Sequence, residues 1–151
     1  MTQEKLKQFL DACYDAKRLV EHLPDLPDGM KPRQVHVLDA VNEIQKKQGF
    51  CRVSDISSYM NTTLPSITKL VQELEERNLL VKQADEKDKR VINLTLTEEG
   101  KEFVELRVTH FHGEWASRLP DLDDAVVDEF VHAITRMQET MPGIKGVKNN
   151  G

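Results

Sequence analysis

Aromatic side chains are scarce. Of 151 residues, five are Phe, two are Tyr and one is Trp, so any core this chain builds is mostly aliphatic. Cysteine is scarcer still: Cys13 and Cys51 stand far apart and form no C-x-x-C pair, which reads most simply as two free thiols in a reducing compartment. No apolar run approaches the ~18 residues of a membrane span. The N-terminal MTQEKLKQFL lacks the apolar centre of a signal peptide. The expectation is a cytoplasmic protein with no membrane partner. Also missing are a glycine-rich phosphate loop, a nucleophile elbow, an identifiable carboxylate pair and a metal motif, which argues against an enzyme and gives no cofactor or metal to expect.

Charge, by contrast, is plentiful. Asp, Glu, Lys and Arg make up 31% of the chain, with a net charge of −5. Residues 1–50 carry 8 basic and 8 acidic groups, 51–96 carry 7 and 7, and 97–151 carry 6 and 11. All the excess acid lies in the last third, so the middle of the chain remains able to bind phosphate locally.

Leu6, Phe9, Leu10, Cys13 and Val20 recur at helical spacing across residues 3–22. HLPDLPDGMKP (22–32), with three prolines and a glycine, is a connection. A second helix, 33–47, has Val35, Leu38 and Val41, or Val37, Val41 and Ile44, as its stripe, and Gly49 as its cap. A short extended piece, 51–53, precedes SDISSYM, where Ser54 is the expected N-cap. NTT (61–63) turns the chain. Thr63 then caps a helix that tolerates Pro65 in its first turn and places Ile67, Leu70, Val71 and Leu74 on one face.

LLVKQA (79–84) and VINLTL (91–96) read as strands, the second alternating Ile92, Leu94 and Leu96 against Val91, Asn93 and Thr95. The six consecutive charges Asp85–Arg90 therefore occupy a hairpin tip. Thr97 caps a long helix from 98 to about 118. A last helix runs through Ala125, Val126, Phe130, Ala133, Ile134 and Met137, and PGIKGVKNNG is a flexible tail.

This order predicts a mainly α fold with a small β-hairpin wing: a winged helix-turn-helix with flanking N- and C-terminal helices. The helix after the turn is the element whose N-terminal residues lead into a DNA major groove. With its apolar stripe turned inward, Pro65, Lys69 and Gln72 lie opposite, Ser66, Thr68 and Glu73 flank them, and Thr62 and Thr63 stand at the helix entrance. Hydroxyls and Lys69 suit phosphates, and Gln72 suits a base edge. Glu73, Glu75, Glu76 and Arg77 read as a solvated face.

The stretch DEKDKRVINLTLTEEG (85–100) fits the pattern D-x-[RK]-D-x-R followed by a strand ending L-x-L-T-x-x-G. Together with SDISSYMNTTLPSITKLVQELEERNLL upstream, it resembles the MarR family of winged helix-turn-helix regulators over roughly residues 33–105. Asn78 stands where that family usually has glycine, and Lys87 where it usually has Arg. The resemblance implies that Arg90 enters the minor groove from the wing tip, with Lys87 and Lys89 on phosphates. A narrow minor groove concentrates negative potential and attracts a guanidinium. Asp85 and Asp88 would brace the loop by turn hydrogen bonds and ion pairs.

It further implies a homodimer held by the first and last helices, reading a palindrome of double-stranded DNA with recognition helices roughly 34 Å apart. A small-molecule effector would bind between the dimer helices and the winged domain. The organisation expected is an N-terminal dimerisation helix and linker (1–32), a DNA-binding domain (33–100), C-terminal dimerisation helices (101–141) and the tail (142–151). The function implied is a sequence-specific, ligand-responsive transcriptional repressor.

Two alternatives stay open. One is the same fold sensing redox state or a metal. Cys13 lies near the reactive cysteine of the family's peroxide-sensing branch, but Tyr14-Asp15 sets acid beside it and its stripe suits an inert packed thiol. His36 lies where the zinc-sensing branch has a ligand, without the other ligands. His110 and His112 point about 200° apart on a helix, and His110 with Glu114 is the better-spaced pair. The other alternative is a winged helix that contacts only protein, against which Lys69, Lys87, Lys89 and Arg90 on one face discriminate.

Overall fold

The structure is a computed structural model that describes residues 1–22 and 26–142; part of the 22–32 connection and the tail from 143 onward lie outside the described residues. It is mainly helical with one two-stranded antiparallel hairpin. The chain divides into two compact units, Met1–Phe111 and His112–Gly151.

In the first unit, α1 (Gln3–Glu21) is followed by α2 (Pro32–Gln48), α3 (Val53–Tyr59) and α4 (Leu64–Glu76). Then come β1 (Leu80–Ala84), β2 (Ile92–Leu96), α5 (Glu98–Val104) and a π-helical stretch, Glu105–His110. α6 (Phe111–Ser117) and α7 (Asp124–Thr140) follow. Val37, Leu38 and Val41 of α2 meet Ile56 of α3, Ile67, Val71 and Leu74 of α4, and Leu80, Leu94 and Leu96 of the hairpin in one aliphatic core. No aromatic ring is fully buried among the described residues; Phe103 packs on the core edge. The three-helix arrangement follows from the stripes, since each helix has one apolar face and only a shared core removes all three from water.

The hairpin is anchored at its base by a side chain from the next helix. Register pairs Leu80 with Leu96 and Ala84 with Ile92. Asn78 turns the chain into β1 in the left-handed region (φ 58°), a conformation that Asn tolerates better than most residues. Thr97 Oγ1 donates to the Asn78 carbonyl at 2.7 Å and accepts from the Gly100 N–H at 2.9 Å, so one hydroxyl closes the hairpin and caps α5. Gly100 lies against the Leu79 carbonyl, where a Cβ would sit 2.1 Å from the oxygen. That contact explains the glycine of the L-T-x-x-G motif.

α1 and α7 contain no buried residue. Leu6, Leu10, Val126, Val127, Phe130 and Val131 are exposed apolar side chains on these two helices.

Several local expectations change. α3 begins at Val53 rather than after a Ser54 cap, because the Asp55 carboxylate accepts from the Arg52 N–H at 2.8 Å and moves the cap to Arg52. The 51–53 piece is not a strand, but the Cys51 carbonyl accepts from Leu94 N–H at 2.7 Å and joins it to β2. Ile92 does not face the core: it is 42% exposed, because the wing projects past the helices and only Leu94 and Leu96 lie over them. The long helix expected from 98 is interrupted by the π-helical stretch and ends at Ser117.

Candidate nucleic-acid interface

α3, a turn and α4 form a helix-turn-helix. Asn61 takes a positive φ (49°) in the turn, and the Ser57 hydroxyl donates to the Thr62 carbonyl at 2.5 Å. Thr63 caps α4, accepting from the Ser66 N–H at 3.4 Å. With Ile67, Leu70, Val71 and Leu74 buried, Pro65, Thr68, Lys69 and Gln72 face solvent; Thr62 and Ser66 are half-buried and Thr63 is exposed. Thr68 Oγ1 donates back to the Leu64 carbonyl at 2.9 Å, so its proton is not available to a phosphate in this arrangement.

The wing tip is held by two carboxylates. Asp85 Oδ1 accepts from the Lys87 N–H at 2.9 Å and the Asp88 N–H at 3.1 Å, and its Oδ2 accepts from Asn93 Nδ2 at 3.1 Å. Asp88 accepts from the Arg90 N–H at 3.1 Å, and from Nε and an Nη of the same guanidinium at 3.0 Å each, a two-pronged pair. Arg90 remains 91% exposed at its side chain, and Lys87 and Lys89 are exposed beside it. The backbone N–H groups of Asp88 and Lys87, and then Asn93, hold the Asp85 carboxyl below the usual range; the Arg90 side chain does the same for Asp88.

Glu73, Glu75 and Arg77 are not merely a solvated face. Gln34, the one buried polar residue among those described, accepts from the Lys31 N–H at 2.8 Å and donates to Glu73 at 2.8 Å. Arg77 donates to the Asp28 carbonyl at 3.1 Å. Glu75 pairs with Lys82 of β1 at 2.6 Å. α4 is thus tied on one side to the segment before α2 and on the other to the hairpin. Arg33 at the start of α2 donates to Thr62 Oγ1 at 3.4 Å, bringing a cation to the helix-turn-helix turn. The Gln34–Glu73, Arg77–Asp28 and Arg33–Thr62 ties join residues 39, 49 and 29 apart in sequence. The one local signal was Gln34 itself, at the third helical position where capping-box residues stand.

Cys51 is fully buried, and burial, then Asp55, pushes its thiol up to about 12, the behaviour of a packing residue. Cys13 is half-buried on α1. Glu114 pairs with Arg118. Among the described residues no three His, Cys, Asp or Glu side chains converge on one point. A cleft of about 410 Å³ lies between α2 and the Lys101–Thr109 stretch.

Against known proteins, residues 28–91 match the MarR family. The HTH-type transcriptional repressor MdtR of Bacillus subtilis (strain 168) is 38% identical over 72 residues, 48% of this chain and 44% of that protein. The match therefore spans less than half of that relative's length. Two solved structures share the fold over nearly the whole chain. BpsR of Bordetella bronchiseptica, described for the regulation of its DNA binding by 6-hydroxynicotinic acid, is 22% identical, with a TM-score of 0.63, covering 92% of this chain and 94% of its own. FabT of Streptococcus pneumoniae, solved in complex with DNA, is 18% identical, with a TM-score of 0.68, covering 91% and 96%.

Proposed function

We propose that the chain, whose residues 28–91 match the MarR family, is a member of it and a sequence-specific, double-stranded DNA-binding transcriptional regulator, a repressor that answers to a small molecule. One observation carries the reading. Arg90 is almost fully exposed, yet its guanidinium is fixed by two hydrogen bonds to Asp88 on a turn that Asp85 ties. Asp88 also accepts the Arg90 N–H, so backbone and side chain are held together, and a held cation loses less freedom on entering a groove. Lys69 and Gln72 supply a phosphate contact and a base-edge contact from α4, with Thr62, Thr63, Pro65, Ser66 and Thr68 at its leading end. Lys87 and Lys89 flank Arg90 on phosphates. No enzymatic step belongs to this reading.

The protein acts as a homodimer. The exposed apolar faces of α1 and α7 are what a partner copy would cover, and a two-fold pair would set two recognition helices about one DNA turn apart. A small-molecule effector, of the general kind named for BpsR, would act by shifting those helices. No described helix is long and apolar enough to cross a membrane, and the compartment we propose is the cytoplasm.

Selection from a random duplex library tests the reading. The expected product is a palindrome whose half-site centres lie about 10–10.5 base pairs apart. Recovery of no enriched sequence, with phosphate binding of equal strength for all duplexes, contradicts it and favours a winged helix that serves only protein contacts.

A further inference from the structure

Four hydroxyl groups stand at the leading end of α4, and the fold already engages each one. Thr62 Oγ1 accepts from Arg33 at 3.4 Å. Thr63 Oγ1 accepts from the Ser66 N–H at 3.4 Å and shares a hydrogen bond of 2.9 Å with the Ser66 hydroxyl, which uses one of their two protons. Thr68 gives its only proton to the Leu64 carbonyl at 2.9 Å. Two of the four hydroxyl protons, that of Thr68 and one of the Thr63–Ser66 pair, are thus spent within the fold, which leaves fewer donors for the acceptors that purines and thymine present in the major groove.

What it offers instead is apolar. Leu64, the first residue of α4, is 51% exposed, and exposed Pro65 follows it. Leu64 does not belong to the buried stripe of Ile67, Leu70, Val71 and Leu74. A lone exposed leucine is commonplace on a protein surface; here it occupies the end of the helix that leads into a major groove. Among the bases only thymine carries a methyl group there.

We propose that Leu64 reads a thymine methyl at the leading end of the recognition helix, so that specificity at that base pair comes from apolar contact rather than donated hydrogen bonds. The inference rests on the DNA-binding reading above and names the base class that its leading end selects. The effect is that of taking one methyl group out of water, roughly three- to fourfold in affinity.

Duplexes enriched from the random library by the full 151-residue chain are the probe. Each thymidine is replaced in turn by deoxyuridine, which removes the methyl and nothing else. One position per half-site should then weaken wild-type binding by roughly three- to fourfold, and Leu64→Ala should bind the thymine and uracil duplexes equally. Leu64→Gln, which keeps the length but not the apolar end, should behave as Leu64→Ala does, and unchanged thermal melting shows that both variants are folded. Equal wild-type affinity for thymine and uracil at every position overturns the inference. So does a variant that keeps the full thymine preference. A library that enriches nothing overturns the DNA-binding reading itself, and the role of Leu64 with it.

Discussion

Replacing Gly100 by alanine should destabilise the winged unit by about 2–4 kcal/mol. The new Cβ would stand 2.1 Å from the Leu79 carbonyl oxygen and 3.1 Å from its carbon, where real contacts do not fall under 3.0 Å. Both atoms are backbone, so no side chain can rotate away, and helix α5 and the β1 entrance must part by nearly an ångström. The same Leu79 oxygen accepts from the Thr97 N–H at 3.2 Å, and Thr97 is the residue that closes the hairpin and caps α5. Forcing a methylene into a packed site costs about 1–3 kcal/mol, and losing one such hydrogen bond adds roughly 1 kcal/mol. Against a total stability of about 5–15 kcal/mol this is a large fraction. Urea unfolding followed by circular dichroism measures it, at one fixed protein concentration because the stability of the proposed dimer depends on concentration. Gly113→Ala is the control: it lies in α6 with nothing within 4 Å of its Cβ, and should stabilise by roughly 0.5–1 kcal/mol. A Gly100→Ala protein within about 0.5 kcal/mol of wild type would show that the Leu79 carbonyl does not require a glycine here.

Arg90→Ala should weaken binding to the enriched duplex by about 1–3 kcal/mol while sedimentation shows the dimer intact; unchanged affinity removes the wing from the interface. Lys69→Ala should reduce the slope of log affinity against log salt by about one, and an unchanged slope means Lys69 touches no phosphate. Asp85 and Asp88 have folded pKa values below the unfolded ones, so their stabilising effect is complete above the ordinary aspartate value of about 3.9 and is lost as pH falls through the lowered values. Amide signals of residues 85–91 should therefore hold steady from neutral pH down to about pH 5, and loss of wing order in that range contradicts the carboxylate bracing. In alkylation followed by peptide mass spectrometry, Cys13 should react in the native protein and Cys51 only after unfolding; Cys13→Ser should leave any peroxide response unchanged, and its loss would make Cys13 a sensor.

The parts legible in the sequence are those fixed by near neighbours. Ile67, Leu70, Val71 and Leu74 announce the inward face of α4 because helical geometry alone sets it. Thr63 and Thr97 cap the helices they precede. The wing could be read because a run of six charges has no place in a two-stranded core and must be its tip. What escaped depends on partners distant along the chain. Gln34 and Glu73 are 39 residues apart, Arg77 and Asp28 are 49, and Arg33 and Thr62 are 29. Each of these side chains is polar and, taken alone, indistinguishable from a solvated one. Ile92 failed for a related reason: strand alternation says which residues share a face, not how far the core extends beneath it.

We propose above that α4 and the wing form one surface that recognises a DNA sequence. Fluorescence anisotropy across a salt series tests it most directly, with the enriched duplex labelled and a scrambled duplex in excess as competitor. Binding is expected to be at least ~10³-fold tighter than to the scrambled duplex, weakening steeply as salt rises. Equal affinity for the two duplexes would contradict it.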